Sequence, residues 1–163
     1  MKTILVLRHA KSSWDDPNMS DYERPLNERG RSAAPKVGLI LKENNLIPEL
    51  IISSTAKRAK ETSELVKKSI HQPVDIYLSR ELYDAGFDAY VSALQTLPKN
   101  MQTVLIVGHN PNIEMLVQYL TGKSERMPTA ALAHIQCNIK NWPVLSNNIK
   151  GKLVHLWRPK ELD

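Results

Sequence analysis

Through residue 122 the chain alternates short, continuous apolar runs with longer amphipathic stretches. The first run, Ile4-Leu5-Val6-Leu7, has no polar interruption and includes β-branched members, which predicts a strand buried on both faces, as in the middle of a parallel sheet. Leu50-Ile51-Ile52, within Pro48 to Ser54, predicts a second strand, and Val74-Asp75-Ile76-Tyr77 a weaker third. Thr103-Val104-Leu105-Ile106-Val107 is the best strand after the first. Helical spacing fills the gaps. Asn27 reads as the N-cap of a helix running to about Glu43, with Pro35 predicting a bend or a later start. A helix from about Ala56 to Ser69 places Ala59, Thr62, Leu65 and Val66 on one face. Further helices are predicted from Phe87 to Leu97, and after Pro111 with Ile113, Leu116, Val117 and Leu120 aligned and Gly122 as the stop. Residues 11–25 are polar and irregular and read as a loop.

The last forty residues change character. Ala131 to Ile139 alternates as a strand, Asn141 to Asn148 is a loop, and Lys152 to Trp157 is another strand; the two pair as a hairpin or extend the sheet. Strands alternating with helices give an α/β class: a single three-layer domain spanning 1–163, with a mostly parallel central sheet and helices on both faces.

Composition adds limits. At 163 residues, 42% hydrophobic and 24% charged, the chain can bury one sizeable core. A net charge of +5 suits an anionic substrate. The basic residues are scattered and aromatics make up only 6%, so nucleic acid is not an expected partner. The single cysteine, Cys137, excludes an internal disulfide and a cysteine-based zinc site, and its place in the strand pattern predicts a buried core position. No apolar stretch is long enough for a membrane span and no signal peptide is legible, so the expected location is cytoplasmic, without a membrane partner.

Chemistry is concentrated where strands end. The first strand runs directly into Arg8-His9, two donor-rich side chains at the point of exit from the sheet. The second ends in Ser53-Ser54 and opens a helix whose first turns hold Arg58. The strand at 103–107 ends in Gly108-His109, followed by Asn110-Pro111. In open α/β sheets ligands sit at the carboxyl ends of strands, helix starts there favour anions, and guanidinium grips phosphate through a planar fork. Two histidines and two arginines brought together in this way make a phosphate pocket. A metal site is the competitor for paired histidines, but neither histidine has an acidic neighbour and an adjacent arginine repels a cation. No metal and no cofactor are expected.

Arg8-His9-Ala10, the block Ser53-Ser54-Thr55-Ala56-Lys57-Arg58-Ala59 with Glu61-Thr62, and Val107-Gly108-His109-Asn110-Pro111 resemble the signature blocks of the histidine phosphatase superfamily, whose fold is phosphoglycerate mutase-like. Together with its brevity, the Arg24-Pro25-Leu26 block makes the chain resemble the small SixA-type phosphohistidine phosphatases within it. The resemblance implies that His9 takes the phosphoryl group as a covalent intermediate while Arg8, Arg58 and His109 bind its oxygens. It implies a phosphohistidine-bearing protein as substrate and phosphate or another oxyanion in the pocket. Arg24 is implied as a further substrate contact; its plain alternative is a loop arginine paired with Asp21 or Glu23. Whether there is a general acid is left open, with Asp84 and Glu81 as its candidates and a site lacking a strong acid as the expectation.

Ala10 stands where the common motif has glycine, so the turn must adopt an ordinary conformation or carry mild strain. Lys11 and Trp14 either line the mouth of the pocket or, as expected, lie in a solvated loop, and His71, His134 and His155 are expected in structural or surface roles. Two other functions compete: a phosphatase or mutase acting on a small phosphomonoester, and a non-catalytic phosphate-binding module.

Overall fold

The computed structural model describes residues 1–159; the last four residues of the predicted domain lie outside the described residues. Six strands form one sheet: β1 (Lys2–Arg8), β2 (Leu50–Ser54), β3 (Asp75–Ser79), β4 (Thr103–Gly108), β5 (Leu132–Cys137) and β6 (Lys152–Trp157). Their order across the sheet is β3-β2-β4-β1-β5-β6. β3, β2, β4 and β1 are mutually parallel, β5 runs antiparallel to β1, and β6 pairs antiparallel with β5 at the edge. The two late strands are therefore both a hairpin and an extension of the sheet.

The helices are α1 (Glu28–Glu43), α2 (Lys57–Ile70), a short α3 (Glu81–Asp84), α4 (Asp88–Gln95) and α5 (Asn112–Thr121). Asn27 caps α1 as predicted, its side chain accepting from the Gly30 amide at 2.9 Å. Of the two expectations for Pro35, a late start does not occur, because α1 begins at Glu28 and runs through Pro35 to Glu43. α3 was not predicted: at four residues it is too short to display a helical period.

β1 shows why the centre of the sheet reads as a solid apolar run. Ile4, Leu5, Val6 and Leu7 are all fully buried, but alternate sides face different layers. Ile4 and Val6 join Val104, Ile106, Ile113, Leu116 and Tyr90 in the core under α4 and α5. Leu5 and Leu7 join Leu105, Val107, Val37, Ala59 and Val66 in the core under α1 and α2. Each such side chain contributes about 1.5–3 kcal/mol when fully buried, so the strand that carries Arg8 and leads to His9 is held from both faces. Cys137 is buried as expected. Lys2, at the opposite end of β1, is also buried, its ammonium donating to the carbonyls of Lys99 and Met101 at 2.5 and 2.8 Å.

Candidate active site

The parallel register pairs Arg8 with Gly108, and the His9 amide donates to the Gly108 carbonyl at 3.0 Å. The residues that follow therefore leave the sheet side by side, with the His9 and His109 ring centroids 5.1 Å apart. Gly108 has no room for a side chain, since a Cβ there would lie 2.3 Å from the Tyr90 hydroxyl. That hydroxyl accepts the His109 amide at 3.2 Å and donates to the Leu82 carbonyl at 2.6 Å, which fixes where the strand releases His109. On the other side of β4, β2 ends at Ser54, whose hydroxyl is 2.8 Å from His109 Nε2. One turn later α2 presents Arg58.

The turn after His9 is held from two directions. The Ala10 amide donates to Thr62 Oγ1 at 3.0 Å, and Thr62 donates onward to the Arg58 carbonyl at 2.7 Å. From the β5 side the Ala130 amide is shared between the carbonyls of Arg8 and His9 at 3.1 and 3.0 Å. Of the two conformations open to Ala10, the ordinary one is observed. The left-handed backbone sits instead at Ala130, with φ of 63°.

His9 is 5% exposed. Its Nδ1 lies 2.7 Å from the Ala10 carbonyl, and its Nε2 accepts from Arg58 Nε at 3.4 Å. Both contacts require the same tautomer: the proton on Nδ1 and a lone pair on Nε2. Burial pushes the His9 imidazole down to about 3, helped by His109, Arg58 and Arg8 and opposed only by the Ala10 carbonyl. Burial and Arg58 push His109 down to about 4. Both rings are neutral near pH 7, which leaves His9 Nε2 a buried, unprotonated nitrogen, the form in which an imidazole can act as a nucleophile.

Residues 11–27 form a strap across this strand end, tied down where Ser12 bridges to Leu26 and where the Asn27 amide meets the Lys11 carbonyl at 2.9 Å. Gly30 makes that approach possible, because a Cβ there would lie 2.2 Å from the Lys11 carbonyl oxygen. Under the strap a cavity of about 200 Å³ is lined by Arg8, His9, Lys11, Ser12, Trp14, Arg24, Arg58, His109, Asn110 and Thr129. Four of these are cationic and none is a carboxylate. Arg8 Nε, Arg24 Nη1 and His109 Nδ1 are buried without a hydrogen-bond partner. Buried donors left unpaired cost about 1–3 kcal/mol each, so a cluster of them is the condition an oxyanion relieves.

The carboxylate that organises the arginines is Asp21, which the sequence offered only as the plain alternative partner for Arg24. Asp21 takes Arg58 Nη2 on its carboxylate at 3.0 Å and Nη1 on its carbonyl at 2.7 Å. It stands 3.5 Å from Arg24 Nε and receives the Tyr83 hydroxyl at 2.9 Å. Burial alone would raise its carboxyl, but Tyr83, Arg58 and Arg24 outweigh that and hold it below the usual carboxylate range. Arg24 thus has both features weighed for it: it lines the cavity, and it is paired with Asp21. Its Nη2 also donates to Ser12 Oγ at 2.8 Å.

Lys11 and Trp14, expected in a solvated loop, line the cavity wall. Glu81 and Asp84 do not line it: both are exposed, and Asp84 pairs with Arg80 at 2.9 Å on the surface. The residue of α3 that does reach the site is Tyr83, edge-on to His109 with centroids 5.6 Å apart. His71 caps α2, and His134 and His155 lie on β5 and β6. Among the described residues no group of three or more His, Cys, Asp or Glu side chains is placed to hold a metal ion.

Comparisons with known proteins agree with this architecture. A profile of the histidine phosphatase superfamily, branch 1, matches residues 4–91. An uncharacterised protein of Mycobacterium leprae is 33% identical over 153 residues, covering 92% of this chain and 91% of its own length. The crystal structure of a putative phosphohistidine phosphatase SixA from Agrobacterium tumefaciens superimposes with a TM-score of 0.81 at 29% identity, covering 97% of this chain and 98% of that one. The protein histidine phosphatase SixA in complex with tungstate superimposes with a TM-score of 0.83 at 24% identity, covering 99% of each chain. The chain belongs to the histidine phosphatase superfamily, branch 1, with a phosphoglycerate mutase-like fold, and its activity class is that of a phosphatase.

Proposed function

We propose that the chain, as one histidine phosphatase domain over residues 1–163, hydrolyses phosphohistidine on a protein through a phosphorylated His9. The observation that carries this reading is the geometry around His9: Nδ1 lies 2.7 Å from the Ala10 carbonyl and Nε2 3.4 Å from Arg58 Nε, which leaves the lone pair on Nε2 in a cavity walled by cations. In the first step Nε2 bonds to phosphorus as the P–N bond of the substrate breaks. The substrate imidazole, whose free ring nitrogen takes a proton from solvent near neutral pH, departs as neutral imidazole. In the second step water attacks phosphorus, the bond to Nε2 breaks, and phosphate and neutral His9 are restored. Arg8, Arg24, Arg58 and His109 bind the phosphoryl oxygens, supplying from the chain itself the charge neutralisation on which phosphoryl transfer depends. No cofactor takes part in this sequence. The bound species is a tetrahedral oxyanion, as tungstate is in the SixA complex.

The leaving group supports a P–N substrate. An alkoxide needs a proton from a positioned acid, whereas no carboxylate lines this cavity and Asp21 is held ionised by its partners. The test is a turnover panel in EDTA comparing phosphohistidine peptide, phosphoserine peptide, p-nitrophenyl phosphate and a sugar phosphate. Phosphohistidine is expected to be cleaved far faster than the alkyl esters, with the aryl ester between. Glu81→Gln and Asp84→Asn are expected to change phosphohistidine turnover by less than about tenfold. Efficient sugar phosphate hydrolysis would instead assign the chain to small-molecule esters, and binding without turnover of any donor would make it a phosphate-binding module.

A further inference from the structure

Trp14 is 73% exposed, more than any other large hydrophobic residue among those described, yet it lines the cavity that holds His9. One face of its indole is occupied, with the Arg24 guanidinium carbon 3.4 Å from the ring centroid. Arg24 itself is buried and anchored by Ser12 and Asp21, so the stack rests on a fixed base. The backbone on either side is also held: the Ser13 amide donates to the Pro25 carbonyl at 2.8 Å, and Ser13 Oγ accepts the Asp15 amide at 3.1 Å. An indole that is fixed, backed by a cation and open on its outer side stands at the mouth of a pocket of only about 200 Å³. In the proposed reaction the buried His9 and Arg58 meet the phosphoryl group at the inner end of that pocket, so the group attached to phosphorus extends toward the mouth.

We propose that Trp14, backed by Arg24, is a leaving-group subsite: a flat platform on which a planar ring joined to the phosphoryl group stacks, the imidazole of phosphohistidine above all. This rests on the phosphohistidine reading and deepens it. Offset stacking against indole suits any planar ring, and the face of an indole also attracts the positive charge that the imidazole gains as it accepts its proton. An aliphatic alcohol leaving group gains neither interaction. The subsite therefore favours ring-bearing donors without any hydrogen bond to the ring.

The competing role for Trp14 is to hold Arg24 in place, which would affect every phosphoryl donor equally. Phosphoramidate separates the two, because it has the same P–N bond and no ring. The experiment measures kcat/KM of wild type, Trp14→Ala and Trp14→Phe on phosphohistidine, p-nitrophenyl phosphate and phosphoramidate. In Trp14→Ala the ratio of phosphohistidine to phosphoramidate activity is expected to fall about tenfold, the size of one aromatic contact. The ratio of p-nitrophenyl phosphate to phosphoramidate should fall with it, and phenylalanine should restore most of both. An unchanged ratio, whether or not all three activities drop, would overturn the platform. If wild type cleaves p-nitrophenyl phosphate but not phosphohistidine, and the aryl ratio still falls in Trp14→Ala, the subsite stands and the phosphohistidine reading fails. Wild-type inactivity on all three would overturn both.

Discussion

Two pairs of histidines are brought together by neighbouring strands in this protein, and they differ in what surrounds them. His9 and His109 follow the ends of parallel strands β1 and β4; His134 and His155 face each other within the antiparallel ladder of β5 and β6. In both pairs burial drives one or more imidazoles toward the neutral form, and in both a buried ring nitrogen lacks a partner: Nδ1 of His109 and Nε2 of His134. The first pair, however, shares its cavity with Arg8, Arg24 and Arg58, whereas the cavity beside the second is lined by Asn44, Leu46, Val154 and Trp157. A buried, unpaired imidazole is therefore not in itself a site. What separates the pairs is position in the sheet: a strand end admits converging side chains from other segments, while the middle of a ladder places its side chains among neighbouring strands.

Substitutions can break or sharpen this contrast. The largest expected effect is that of His9→Ala, which should lower turnover by about 10⁴-fold or more, the scale on which losing a covalent nucleophile acts. It should also abolish an acid-labile phospho-enzyme label that wild type forms, while vanadate binding persists through Arg8, Arg58 and His109. Undiminished turnover would sink the mechanism. Next comes Arg58→Ala, expected to lower kcat/KM by about 10²-fold through loss of a charge-assisted donor, with Arg58→Lys restoring it only in part. Wild-type kinetics for Arg58→Ala would remove Arg58 from the phosphoryl contacts.

A smaller effect is expected in stability against pH. The folded values of about 3 for His9 and about 4 for His109 lie below the ordinary 6.5. Between those limits the unfolded chain binds protons that the folded chain refuses, so stability is fully present above pH 6.5 and falls as pH is lowered. By pH 4.5 His9 alone should cost roughly 3 kcal/mol, and thermal melts of His9→Gln should be correspondingly flatter than wild type over that window. A wild-type melting temperature unchanged from pH 7 to pH 4.5 would contradict the burial argument. The smallest effect is that of His134→Ala, expected to leave kcat/KM within about twofold; a larger loss would erase the distinction between the pairs.

The parts of this architecture that were legible in the sequence are those encoded locally. β1 and β4 announce themselves as apolar runs, and the cationic residues after them mark the strand ends. α1 carries its own cap at Asn27. The segment between residues 11 and 27 was not legible, because its course is set by partners far away in the chain. Asp21 meets Arg58 across 37 positions and Tyr83 across 62, and Ser54 meets His109 across 55. A polar stretch with no period looks solvated when read alone, which is why a solvated loop is favoured for Trp14 and Lys11 over the mouth of the pocket. α3 escaped for a related reason: one turn offers no second residue on the same face to reveal it.

The grip of Asp21 on Arg58 has a consequence for the timing of catalysis. A free arginine side chain holds about 2 kcal/mol of rotamer entropy, which a site must surrender on meeting its ligand. Here the guanidinium is immobilised from behind, by the Asp21 carbonyl on Nη1 and its carboxylate on Nη2, while Nε points at His9. The ordering is completed during folding, so in the proposed reaction a phosphoryl group meets a rigid edge in place of a searching side chain. Selection acting on phosphoryl affinity can therefore work through residue 21, which does not itself line the cavity.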